Sequence, residues 1–264
     1  MIRSPVRALR AMLLSLCVLA SAPSFASATL TNYSDLWWTP AEAGWGVNAA
    51  QQADLMFLTF YVYGANRQPV WYTALVVDQG AQPDGTTLFA GNLYQSAGPS
   101  FAGPFDPAEV TTTAVGTATF RARSTTSATL TYVVNGVTVN KEIERFALRP
   151  DNLAGSYLGG TSDITSSCTI PANNGFRSEE NGAFTVTQVG TVFELRSPTC
   201  TYTGTHSQKG QVGRVEGTYA CGNGASGEIT FFDLRVEPGG ISGRYTGRGS
   251  GCDFNGNLGL ARRK

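Results

Sequence analysis

Hydrophobic and polar residues alternate with a period of two through much of this chain, most plainly between Cys200 and Cys221. That stretch opens Cys200-Thr201-Tyr202-Thr203-Gly204 and closes Gly217-Thr218-Tyr219-Ala220-Cys221. Folded about Gly210-Gln211, it sets Cys200 against Cys221, Tyr202 against Tyr219 and Gly204 against Gly217. One face then carries Cys200, Tyr202, Gly204, Val215, Gly217, Tyr219 and Cys221. The other carries Thr201, Thr203, Thr205, Arg214, Glu216 and Thr218. A half-buried antiparallel sheet requires that division into core and solvent faces.

Other segments follow the same rule. A hairpin is predicted at Val189-Gly190, with Phe184, Val186, Phe193 and Leu195 inward and Thr185, Thr187, Glu194 and Arg196 outward. A further hairpin at Pro238-Gly239 aligns Phe232, Leu234 and Val236 with Ile241, Gly243 and Tyr245. Asn135-Gly136 is a type I′ turn signal. It places Leu130, Tyr132 and Val134 on one face with Val137, Val139 and Ile143, and Lys141, opposite Leu130, breaks the pattern. Aromatic strands precede it around residues 45–48, 55–63, 70–77 and 88–94. Residues 97–114 and 169–181 read as loops, and Asn255-Gly256 as a hairpin turn.

No segment sustains a helical period, so the chain reads as all-β. The expected architecture is two small antiparallel up-and-down β-barrel or sandwich domains. An aromatic-rich domain spans residues 29–149 and a disulfide-bearing one residues 150–264, joined around Leu148-Arg149-Pro150-Asp151-Asn152. Gly-x-Tyr recurs at Gly155, Gly217 and Gly243, and glycine within strands permits the sharp coiling of a barrel.

Residues 1–28 read as a signal peptide. Arg3, Arg7 and Arg10 precede a short apolar core from Ala11 to Ala20, and Ala26-Ser27-Ala28 fits the small-x-small cleavage rule. The apolar run is too short to span a bilayer as a helix. Cys17 follows Leu16 rather than a small residue, which argues against a lipoprotein anchor. No membrane insertion is expected after cleavage, and the destination is periplasmic or secreted.

Cleavage would change the formal charge from 0 to −3, because 19 basic residues become 16 against 19 acidic ones. The chain has three lysines, Lys141, Lys209 and Lys264, and no basic patch that would follow a phosphate backbone, so nucleic acid is not an expected partner. Four cysteines remain: Cys168, Cys200, Cys221 and Cys252. In an exported chain they read as two disulfides. Counted from the Gly210-Gln211 turn, Cys200 and Cys221 fall on a non-hydrogen-bonded pair with Cα atoms about 4.5 Å apart, close enough to bridge. Cys168–Cys252 follows by exclusion. A zinc site would need closer ligand spacing and more than the single histidine, so no metal and no cofactor are expected.

Trp37, Trp38, Trp45 and Trp71, with Tyr61, Tyr63 and Tyr72, form the densest aromatic group. They are candidates for a stacking platform, with Asn48, Gln51 and Glu42 supplying polar contacts. The same residues would equally fill a barrel core. Trp37 and Trp38 cannot share one face of a strand, so one of them is accessible or packs on the neighbouring domain.

No catalytic residue is nominated. His206 shares the hairpin face of Cys200 and has no Gly-x-Ser-x-Gly partner. The acids Glu42, Asp54, Glu179, Glu180 and Glu228 stand in no diagnostic pairing, and Glu179-Glu180 reads as part of a polar loop.

The run Leu36-Trp37-Trp38-Thr39-Pro40-Ala41-Glu42-Ala43-Gly44-Trp45-Gly46-Val47-Asn48 resembles the opening of a family of functionally uncharacterised exported bacterial β-proteins. Phe60-Tyr61-Val62-Tyr63-Gly64, Pro69-Val70-Trp71-Tyr72 and the Cys200–Cys221 hairpin extend the resemblance over most of the mature chain. It implies export and β-architecture rather than a mechanism. The expectation is a non-enzymatic binding or interaction protein taking a small apolar or saccharide ligand, or an envelope protein, near the tryptophans. The alternatives are a protein inhibitor or envelope assembly factor acting through loops, and a hydrolase with a dispersed acidic site.

Overall fold

The computed structural model describes residues 31–100 and 102–263, so the signal peptide expected over residues 1–28 lies outside the described residues. The strands run antiparallel to their neighbours and close into two eight-stranded barrels. The first comprises β1 (Asp35–Trp38), β2 (Gly46–Gln52), β3 (Leu55–Tyr63), β4 (Pro69–Ala81), β5 (Thr87–Ala97), β6 (Thr111–Ala122), β7 (Ser127–Val134) and β8 (Val137–Arg145). The second comprises β9 (Gly155–Ser166), β10 (Arg177–Val189), β11 (Val192–Arg196), β12 (Cys200–Lys209), β13 (Val212–Cys221), β14 (Ser226–Glu237), β15 (Gly240–Gly249) and β16 (Cys252–Arg262). Pairing of β1 with β8, and of β16 with β9, seals them and leaves no sheet edge. The sandwich alternative is thereby set aside.

Strand parity fills the interiors. In the first barrel Trp37, Met56, Leu58, Phe60, Phe89, Phe120 and Leu130 meet in one core. In the second, Phe184, Val186, Leu195, Val215, Phe231, Ile241 and Leu260 do the same. The hairpin register matches the sequence expectation, with Cys200↔Cys221, Tyr202↔Tyr219 and Lys209↔Val212 paired. Both disulfides form, Cys200–Cys221 and Cys168–Cys252, each with Cα atoms 4.0 Å apart. They fit an extracytoplasmic protein, since cytosolic thiols are kept reduced.

Several sequence expectations need correction. Phe231, not Phe232, faces the core, because a bulge between Phe232 and Arg235 on β14 shifts the alternation. The β10–β11 turn falls one residue later than expected, on Gly190-Thr191. Asn255-Gly256 is no turn but lies within β16, opposite Thr246 and Tyr245. There Gly256 is required for space, since a Cβ would come within 2.5 Å of the Tyr245 ring. The expected loops are shorter: β6 begins at Thr111, and β10 begins at Arg177, which puts Glu179 and Glu180 on a strand.

The Gly210-Gln211 turn meets the first barrel. Asp35 Oδ2 accepts from the Gln211 amide at 2.8 Å and from Arg145 Nη1 at 2.9 Å. Arg145 also donates to the carbonyls of Thr125, Ser34 and Asn32. Gly210 sits in the left-handed region at φ 58°, and a Cβ there would lie 2.0 Å from Asp35 Oδ2. Lys209 and Glu144 pair beside it.

Candidate functional site

The tryptophans do not form one platform. Trp37 is 1% exposed. Its ring packs edge-on with Phe120 at 5.0 Å, and the Arg145 guanidinium lies 5.1 Å from it. β1 points Asp35 and Trp37 inward, so Trp37 is a core residue. Trp38, on the opposite side of the strand, packs edge-on against Phe146 at 4.8 Å.

Trp45 caps a rim. Its Nε1 donates to Glu42 at 3.0 Å, and Lys141 Nζ lies 5.7 Å from its ring. Lys141 pairs with Glu42 on the short 3-10 turn Pro40–Glu42, which answers the charge that Lys141 places on the inward face of β8. That hydrogen bond from Lys141, then the one from Trp45, holds the Glu42 carboxyl below the usual carboxylate range.

Gln51 makes hydrogen bonds within the protein. Its Oε1 accepts from the Tyr33 amide and its Nε2 donates to the Ala53 carbonyl. Asn48 points outward on β2, partly exposed, in register with Thr59. Tyr72 is half-buried and packs against the core.

The remaining candidates converge. Tyr61 and Trp71 are cross-strand partners on β3 and β4, each 51% exposed, and Tyr63 is exposed beside them. Beyond the Thr59↔Thr73 pair the same outer face continues through Phe57↔Leu75, at 46% and 49% exposed, to Leu55↔Val77. From Leu55 to Tyr63 the stripe runs about 27 Å at the rise of an antiparallel strand. At the Tyr61 end it meets a shallow apolar cleft of about 380 Å³ walled by Trp38, Trp45 and Phe146.

Phe57, Leu75, Leu55 and Val77 were not singled out by motif. Their signal was the loss of alternation: Leu55-Met56-Phe57-Leu58 is apolar at every position. Such a run belongs to a strand with apolar surroundings on both faces. Met56, Leu58 and Phe60 fill the interior, so the outer row is left uncovered.

His206 is 3% exposed, with Nδ1 3.3 Å from Gln188 Nε2. Burial pushes its imidazole pKa down, against a smaller upward pull from Asp151. It is a buried hairpin residue, as its register implied. Glu180 accepts from the backbone amide and hydroxyl of Thr199.

The placement of the tryptophans has a direct readout. Acrylamide should quench Trp71 preferentially, so Trp71→Phe is expected to remove most of the quenchable emission. Trp37→Phe should leave that fraction nearly intact; equal quenching of the two variants would contradict the assignment.

Comparison with protein-family models, with curated proteins and with solved structures found no match.

Proposed function

We propose that this is an exported, non-enzymatic interaction protein, periplasmic or secreted, whose partner covers the outer face of β3 and β4. The observation that supports this reading is the row of Tyr61, Trp71, Phe57 and Leu75 left open on a closed and filled barrel. A largely apolar exposed row, broken by a single threonine pair, costs solubility unless something covers it. The face is long and lacks the concavity that encloses a small molecule. A protein surface therefore suits it better than a free sugar, with the Trp38–Trp45 cleft receiving one apolar side chain.

A photo-crosslinking amino acid at position 57 or 75 in producing cells tests this. It should give one discrete adduct, which Trp71→Ser should abolish. The same probe at Thr185 or Glu216, on the exposed outer face of the second barrel, should give none. Indistinguishable adducts from both barrels would overturn the proposal. An adduct of twice the chain mass would identify the partner as a second copy.

A further inference from the structure

The second barrel is open at one end. Its disulfide-bearing end opens into a cup of about 620 Å³. Inward positions on six of its strands build it: Asp163 on β9, Glu180 on β10, Tyr202 on β12, Tyr219 on β13, Tyr245 on β15 and Phe254 on β16. The rings run around the wall, with centroids 6.3 Å apart for Tyr202–Tyr219, 5.6 Å for Tyr219–Phe254 and 6.2 Å for Phe254–Tyr245. Glycine makes room for them: a Cβ at Gly249 would fall 2.1 Å from Tyr219 Oη.

The charge in the cup has one sign. Tyr245 Oη donates to Asp163 Oδ1 at 3.1 Å, and among the described residues no lysine, arginine or histidine lines the space. Burial raises the Asp163 carboxyl above its ordinary range, with the Tyr245 hydrogen bond opposing only in part. Burial, followed by the field of Glu180, pushes the Tyr202 phenol up to about 12. Tyr219 is raised as well, by burial and then by Asp163. A carboxylate in such surroundings lacks a counter-cation, and aromatic ring faces attract the same charge.

We propose that this cup binds an organic ammonium ion, its nitrogen against Asp163 and its apolar body against Tyr202, Tyr219 and Phe254. The volume lies within the range of small-molecule sites, roughly 300–1,000 Å³. A neutral ligand of equal shape would leave the carboxylate uncompensated, and an anion would be repelled by Asp163 and Glu180. The site is separate from the outer face of β3 and β4 and does not depend on it.

Calorimetric titration of the full mature chain with benzylamine and with phenyltrimethylammonium tests the proposal, with benzyl alcohol and benzoate as the neutral and anionic counterparts. Both cations should bind saturably, the alcohol at least about tenfold more weakly, equivalent to about 1.4 kcal/mol, and benzoate not at all. Asp163→Asn keeps the shape and an acceptor for Tyr245. It should weaken the cations about tenfold or more and bring the cation-to-alcohol ratio towards one. Trp71→Ser should change nothing here, which separates this site from the proposed interaction face.

Should Asp163→Asn fail to fold, the unsubstituted chain still decides. The phenyl protons of phenyltrimethylammonium should show cross-relaxation to the ring protons of Tyr219 and Phe254. No saturable cation binding, equal affinity for benzylamine and benzyl alcohol, undiminished binding by folded Asp163→Asn, or cross-relaxation to other rings alone would each overturn the proposal.

Discussion

Arg145→Met is expected to destabilise the first barrel by about 3–5 kcal/mol, the usual cost of removing one partner from a buried ion pair. Arg145 is 1% exposed and its guanidinium serves four acceptors at once: Asp35 and the carbonyls of Thr125, Ser34 and Asn32. Methionine matches much of its volume and can pack on Trp37, but it supplies no donor. Asp35 would keep two backbone amides, those of Gln211 and Leu36, and no cation to answer its charge, and the three carbonyls would lose a charged donor.

The compensating change gives the sharper comparison. Asp35→Leu combined with Arg145→Met removes both charges, so the double variant should be more stable than the sum of the single losses implies. Urea unfolding followed by tryptophan emission measures this selectively, because Trp37, Trp38, Trp45 and Trp71 all lie in the first barrel. A loss below about 1 kcal/mol for Arg145→Met, the range of exposed ion pairs, would show that the network carries little of the barrel's stability.

The second large effect concerns the two disulfides found among the described residues, both in the second barrel. Cys168–Cys252 closes a sequence separation of 84 residues and Cys200–Cys221 one of 21. The chain-entropy account then gives about 4.6 kcal/mol for the first and about 3.3 kcal/mol for the second. The order also follows from topology. Cys200 and Cys221 are already joined by a continuous β12–β13 ladder, whereas Cys168 stands in the connection after β9 and is tied across to the start of β16. Paired cysteine-to-serine variants should therefore rank with the Cys168–Cys252 variant less stable in urea, read by tyrosine near-ultraviolet dichroism. Tryptophan emission should report a first barrel still folded. The reverse ranking would show that native-state geometry outweighs loop closure.

Much of this molecule could be read from residue order. Parity within the Cys200–Cys221 stretch determined a register, a turn, a disulfide and the inward tyrosines, because a period of two leaves no second solution once one face is apolar. Asn135-Gly136 likewise closed its hairpin with both residues at positive φ, as a type I′ turn demands. The same rule was silent or misleading in three places. Across Leu55-Met56-Phe57-Leu58 both faces are apolar, so alternation could not say which row would be exposed. At β14 one bulge reversed the parity and exchanged Phe231 for Phe232. At Asn255-Gly256 a turn dipeptide is held in mid-strand because the Tyr245 ring needs the space.

By itself, then, the sequence determined the all-β class, the Cys200–Cys221 pairing and the faces of each clearly alternating strand, all of which follow from local periodicity, and with them Cys168–Cys252 by exclusion. Only the tertiary structure decided that both sheets close into barrels, that Trp37 is core while Trp71 is surface, and that Asp163 and Glu180 share an aromatic cup with Tyr202, Tyr219, Tyr245 and Phe254. Those outcomes depend on which strands become neighbours and which way a closed sheet curves. They are set by contacts between residues far apart in the chain.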